Sequence, residues 1–133
     1  MQINPYLVFD GQCEAAFKFY ERLLGGKITG MMTFGNSPAA AQSDPDWRDK
    51  VMHVHMTVGS WVLMGSDAPR QHFQKPQGFA VSLGVKGVED GRRIFNALAE
   101  NGVVQMPFEK TFWSPGFGML TDRFGIPWMV NCE

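Results

Sequence analysis

Two histidines separated by one residue, His53 and His55, are the sharpest chemical signal in this chain. On an extended strand that spacing puts both imidazoles on one face with Thr57, and Met52, Val54, Met56 and Val58 on the other. Imidazole ligates Zn, Cu, Fe and Ni, and near neutral pH it can act as a general base. A metal edge would need further ligands. The remaining histidine, His72, lies in a proline-bearing connector, so carboxylates such as Glu109 and Asp122 would have to complete the set. Alternatively, the imidazoles hydrogen-bond within a cavity or face solvent. The residues alone leave both readings open.

Other chemical motifs are excluded. Gly25-Gly26-Lys27 is not a phosphate loop, because Glu21 stands where the first glycine is needed and Ile28 where Ser or Thr is needed. No GxGxxG opens a helix after a strand, so no dinucleotide or methyl-donor loop is expected. No GxSxG occurs, and Cys13 and Cys132 lack the CxxC spacing of zinc or redox sites. Cys13 falls on an apolar helical stripe and reads as core. The stretch from Thr111 to Asn131 is dense in aromatics, which either pack a sheet or wall a pocket. Within it, Asp122 to Gly125 has the composition of a hairpin turn, with Asp bonding its own backbone and Gly supplying positive φ.

The elements that must carry these residues follow from periodicity. Ile3–Phe9 reads as a strand, and Cys13, Ala16, Phe17, Tyr20 and Leu24 mark a helix stopped by Gly25-Gly26. Residues 27–34, 50–58 and 61–64 read as strands. The 35–49 segment reads as a long loop. After the connector 66–77 the pattern returns. Strand 79–85 precedes a helix from about Val88 to Glu100, striped by Gly91, Ile94, Phe95 and Leu98, and strands 103–108, 118–121 and 126–131 follow it. Each half is therefore strand, helix, strand, strand, strand, a repeat of order that predicts one α+β body.

Composition bounds the function. The 133 residues suit one domain, with 44% hydrophobic and 19% charged side chains. Twelve basic against thirteen acidic residues, a net charge of −1, give no footprint for nucleic acid or an anionic membrane. No apolar run reaches the roughly 18 residues of a membrane helix. The start lacks a signal-peptide pattern, so a cytoplasmic location is expected.

Pro5-Tyr6-Leu7-Val8-Phe9 with Gly11 and Cys13, Phe19-Tyr20, Leu24-Gly25-Gly26, Thr111-Phe112-Trp113, and Phe117-Gly118-Met119 through Thr121-Asp122-Arg123-Phe124-Gly125 to Trp128-Met129-Val130-Asn131 resemble the PhnB-like proteins. These belong to the glyoxalase/bleomycin resistance/dioxygenase, or vicinal oxygen chelate, superfamily. The resemblance implies two paired βαβββ modules, residues 1–65 and 78–133, whose mixed sheets curl into a small-molecule cup, and a homodimer. Superfamily enzymes usually bind a divalent metal through His or Glu. Carried over residue by residue, those positions fall at Pro5 or a neighbour (Asn4, Tyr6), at about Gly78 and at Met129. None is a usual ligand, so no metal cofactor is expected. The same register turns Ala80, Ser82 and Asn131 to the cup, with His53 and His55, and places Phe34, Trp113 and Phe117 on its wall. The expected function is metal-free binding of an aromatic or polar small molecule. The rival is an isomerase, lyase or dioxygenase with its site relocated to His53 and His55.

Overall fold

A computed structural model describes residues 1–133, which divide into two compact units, 1–74 and 75–133. In the first unit β1 (Tyr6–Phe9), α1 (Cys13–Leu24), β2 (Lys27–Thr33), β3 (Val51–Val58) and β4 (Trp61–Asp67) form an open four-stranded sheet in the order β1-β4-β3-β2. β1 runs parallel to β4, and the other neighbours are antiparallel. In the second unit β5 (Val81–Val85), α2 (Val88–Ala99), β6 (Val103–Glu109), β7 (Phe117–Thr121) and β8 (Pro127–Cys132) repeat this plan in the order β5-β8-β7-β6. The expected α+β fold of two βαβββ modules is present.

Each helix covers one face of its own sheet. α1 buries Cys13, Ala16, Phe17 and Tyr20 against Leu7, Phe9, Val54, Met56 and Leu63. α2 buries Gly91, Ile94, Phe95 and Leu98 against Leu120, Trp128, Val130 and Cys132. A fully buried Leu, Phe or Met is worth about 1.5–3 kcal/mol, so each layer stabilises its own unit. The predicted helix stop is also present. Gly25 takes the left-handed conformation at φ 67°, and the Gly26 N–H donates to the Glu21 carbonyl at 3.0 Å.

Strand ends differ from the periodicity reading. β4 continues to Asp67, three residues beyond Met64, because parallel pairing with β1 matches Phe9 to Asp67. β5 begins only at Val81, which leaves Gly78 and Phe79 ahead of the strand and Phe79 half exposed. The 35–49 loop contains two short 3-10 turns, Ala40–Gln42 and Pro45–Trp47. Alternation along β3 breaks at its start, where Val51 rather than Met52 is buried beside an irregular step between Met32 and Thr33.

Asp67 explains how α1 begins without a side-chain cap of its own. Only 3% exposed, its carboxylate accepts from the Cys13 N–H at 2.9 Å and the Val51 N–H at 3.0 Å, tying helix and β3 to the end of β4. Burial pushes the Asp67 carboxyl above its ordinary 3.8, against the lowering by the Val51, Cys13 and Gly11 N–H groups and Lys50. A raised value means that the folded chain holds the proton more tightly than the unfolded chain does. That contribution is complete below pH 3.8 and is lost as pH rises through the folded value. Urea unfolding of wild type and Asp67→Asn between about pH 3 and about pH 7 should therefore show the difference moving against wild type as pH rises. A flat difference curve would refute this account.

Candidate functional site

The face of each sheet away from its helix carries the candidate residues. In the first unit, the register aligns Gly30, His55, Met64 and Tyr6 in one row across the four strands. His53 pairs with Met32, and Thr57 pairs with Lys27 and Val62 on the same face. The strand alternation that buries Val54 and Met56 thus presents both imidazoles together, as the spacing of two predicts.

Hydroxyls hold both rings. Tyr6 Oη lies 3.2 Å from His53 Nδ1, and the two rings stack with centroids 5.8 Å apart at 26°. Thr29 Oγ1 lies 2.7 Å from His55 Nδ1 and donates to the His55 carbonyl at 3.2 Å. No carboxylate takes part in either pair. Thr29 and the Tyr6 hydroxyl were not among the expected site residues. Tyr6 had a signal, since strand alternation with buried Leu7 and Phe9 turns it to this face. Thr29 had none, because it is the extra residue of a bulge.

In the second unit, Trp113, Phe117, Met129 and Asn131 come together. Asn131 pairs with Phe117 across β8 and β7, and Met129 with Met119. The Trp113 ring meets Phe117 edge to face at 5.3 Å and also touches the exposed Phe112 at 4.7 Å. The loop carrying Trp113 is pinned to the end of β8. The Cys132 N–H donates to the Gly116 carbonyl at 2.7 Å, and Ser114 Oγ lies 2.8 Å from the carbonyls of Gly116 and Cys132. Asn131 Oδ1 is buried, and no protein group donates to it. A buried acceptor left so costs about 1–3 kcal/mol.

The remaining candidates are held as follows. Phe34 follows β2, where its N–H donates to the Lys50 carbonyl at 3.0 Å. Asp122 does not complete a metal edge. Its carboxylate accepts from the N–H groups of Phe124 and Ile126 and from Trp128 Nε1 at 2.9–3.0 Å, closing the β7–β8 turn with Gly125 at φ 92°. Glu109 ends the exposed edge strand β6. Cys13 and Cys132 are both buried, and burial raises both thiols, so neither is a ready nucleophile.

The divalent metal usual in the superfamily that the motifs resemble meets poor donors on these rows. β1 and β4 present Tyr6 beside Met64, and β5 and β8 present Ser82 beside Met129. Thioethers and hydroxyls are poor donors for a hard divalent ion. No group of three or more His, Cys, Asp and Glu side chains converges in the structure. The residues present do not fit the usual metal.

Residues 2–130 match the family described as Glyoxalase/Bleomycin resistance protein/Dioxygenase superfamily. Protein YjdN of Escherichia coli (strain K12) is 36% identical over 141 residues, covering 98% of this chain and 95% of that protein. The crystal structure of protein PA1353 from Pseudomonas aeruginosa superposes with a TM-score of 0.91 at 48% identity, covering 100% of this chain and 98% of that one. A structure from Bacillus cereus described as a putative 3-demethylubiquinone-9 3-methyltransferase, PhnB protein, superposes at 0.85 with 23% identity over the full length of both chains, a likeness of fold. The chain belongs to the glyoxalase/bleomycin resistance protein/dioxygenase superfamily, with PhnB-like neighbours.

Proposed function

We propose that this protein binds a small aromatic or polar molecule on the open sheet faces without a metal cofactor, as a cytoplasmic homodimer. The observation that carries this reading is the second-unit face, where the undonated Asn131 Oδ1 lies on the strand paired with Phe117, whose ring packs on Trp113. Apolar walls with one oriented polar group are what a small-molecule site needs. Pro5, Gly78 and Met129, at the positions where the resemblance places metal ligands, support binding without a metal. No helix is long and apolar enough to cross a membrane.

A second reading has its own observation. The Thr29–His55 pair at 2.7 Å resembles an oriented base, which favours a His-assisted isomerase, lyase or dioxygenase of the same superfamily.

Metal uptake and ligand stabilisation separate the two. Tag-free protein incubated with Zn, Mn, Ni or Fe(II) should retain less than about a tenth of a metal ion per chain, because neither sheet face supplies a ligand set. Near-stoichiometric metal that disappears in the His53→Ala/His55→Ala double variant would reverse the ranking. In a thermal-shift screen of small aromatic compounds, a ligand at 100 times its Kd adds about 2.7 kcal/mol, a rise on the order of 10 °C for a chain of this length. Asn131→Leu should abolish that rise, while the double His variant should keep most of it for a compound that has no O–H or N–H donor.

A further inference from the structure

The bulge in β2 bears on the protonation state of His55, given the reading of this sheet face as a ligand face. Ile28 pairs with Met56 and Gly30 with His55, which leaves Thr29 as the extra residue. A bulge re-aims a side chain out of strand alternation, and here it brings one hydroxyl against both the imidazole and the carbonyl of His55. A threonine hydroxyl has a single proton. The carbonyl oxygen can only accept, so the 3.2 Å contact is a hydrogen bond only when that proton points to it. With the proton so directed, Thr29 Oγ1 meets Nδ1 with its lone pairs, a geometry that selects the Nδ1–H tautomer.

On a neutral ring the other nitrogen is left unprotonated. His55 is bonded within the protein through Nδ1, so Nε2 is available to a ligand. Gly30 keeps the neighbouring space open. It is the strand partner of His55 on this face, and a Cβ built on it would meet nothing within 4 Å.

We propose that Thr29 is a positioning residue that holds His55 as its Nδ1–H tautomer, so that Nε2 accepts a hydrogen bond from a neutral O–H or N–H group of the bound molecule. A general base would use the same nitrogen. The ligand class is thus a ring or chain bearing a neutral donor, and not a carboxylate or phosphate that needs a donor from the protein.

Two-bond proton–nitrogen correlation spectra read the tautomer directly, with the three histidines assigned through His53→Gln and His72→Gln. At about pH 9, where free imidazole is neutral, wild-type His55 should show a protonated Nδ1 and an unprotonated Nε2. Thr29→Val should move the population toward Nε2–H, and Thr29→Ser should restore it. A protonated Nε2 in wild type overturns the proposal, and so does an unchanged pattern in a folded Thr29→Val. The wild-type spectrum needs no variant to fold.

Phenol and anisole then test the ligand class, since they share a ring and differ in the donor. Phenol should move the His55 Nε2 resonance at a concentration lower by on the order of tenfold, one hydrogen bond's worth. An equal response overturns the donor class. If neither compound moves any resonance of this face while the tautomer is as stated, the ligand reading of the face fails and the tautomer assignment stands.

Discussion

Asp122→Ala should destabilise the second unit by about 3–5 kcal/mol, measured as a drop in urea midpoint at unchanged slope. Asp122 is 4% exposed, and its carboxylate is the acceptor for the Phe124 and Ile126 N–H groups and for Trp128 Nε1. Alanine removes that acceptor from three donors at once, and Trp128, itself 1% exposed, has little room to turn toward water. The cost reflects donors losing their acceptor inside the fold, more than the net worth of three hydrogen bonds. Asp122→Asn serves as the internal control. It keeps one oxygen for the two backbone donors but can turn an amide N–H against Trp128 Nε1, so it should cost less than alanine while still being measurable. Equal losses for both variants, or a loss below about 1 kcal/mol for alanine, would mean that the turn tolerates water in place of the carboxylate.

The second large effect is expected at Gly65. This residue pairs with Leu7 on β1 and Val54 on β3, and it faces α1. A Cβ there would sit 2.6 Å from Phe17 Cε1 and 2.7 Å from the Leu7 carbonyl oxygen. The Phe17 ring is fully buried against Phe9 and Tyr20, at centroid distances of 6.0 and 5.7 Å, so it cannot swing aside freely. The Leu7 carbonyl belongs to the parallel ladder and cannot move without disturbing it. Gly65→Ala should therefore cost about 2–4 kcal/mol, at the upper end of overpacking penalties because backbone is one of the obstacles. Gly30→Ala, on the open face of the same sheet with nothing within 4 Å, should stay within about 1 kcal/mol of wild type. Thermal or urea unfolding of the pair checks the contrast. Similar stabilities for the two would remove the packing argument.

The two carboxylates show where sequence reasoning stops. Asp122 was legible as a turn residue, because its partners are two and four positions along the chain and the glycine that completes the turn is three along. It was equally legible as a spare metal ligand, and only its contacts decide against that. Asp67 gave no signal. Its partners, Cys13 and Val51, lie 54 and 16 residues away, and the parallel pairing of β1 with β4 and the antiparallel pairing of β3 with β4 bring them to it.

Both helices, the βαβββ order of each unit and the shared face of His53 and His55 follow from the sequence alone. These are properties of local period: 3.6 residues for the helical stripes and two for the strand. Motifs along the whole chain, Thr111-Phe112-Trp113 through Trp128-Met129-Val130-Asn131 the most specific, pointed to the superfamily. The tertiary structure decided how each imidazole is held. A bulge inserts one residue into one strand, so which side chain stands over His55 depends on how β2 pairs with β3 and cannot be counted from alternation. The Tyr6 hydroxyl reaches His53 from 47 residues away, and the burial of Asn131 Oδ1 depends on the atoms around it. Period is written into neighbouring residues, whereas hydrogen-bond partnership on a sheet is set by register between distant ones.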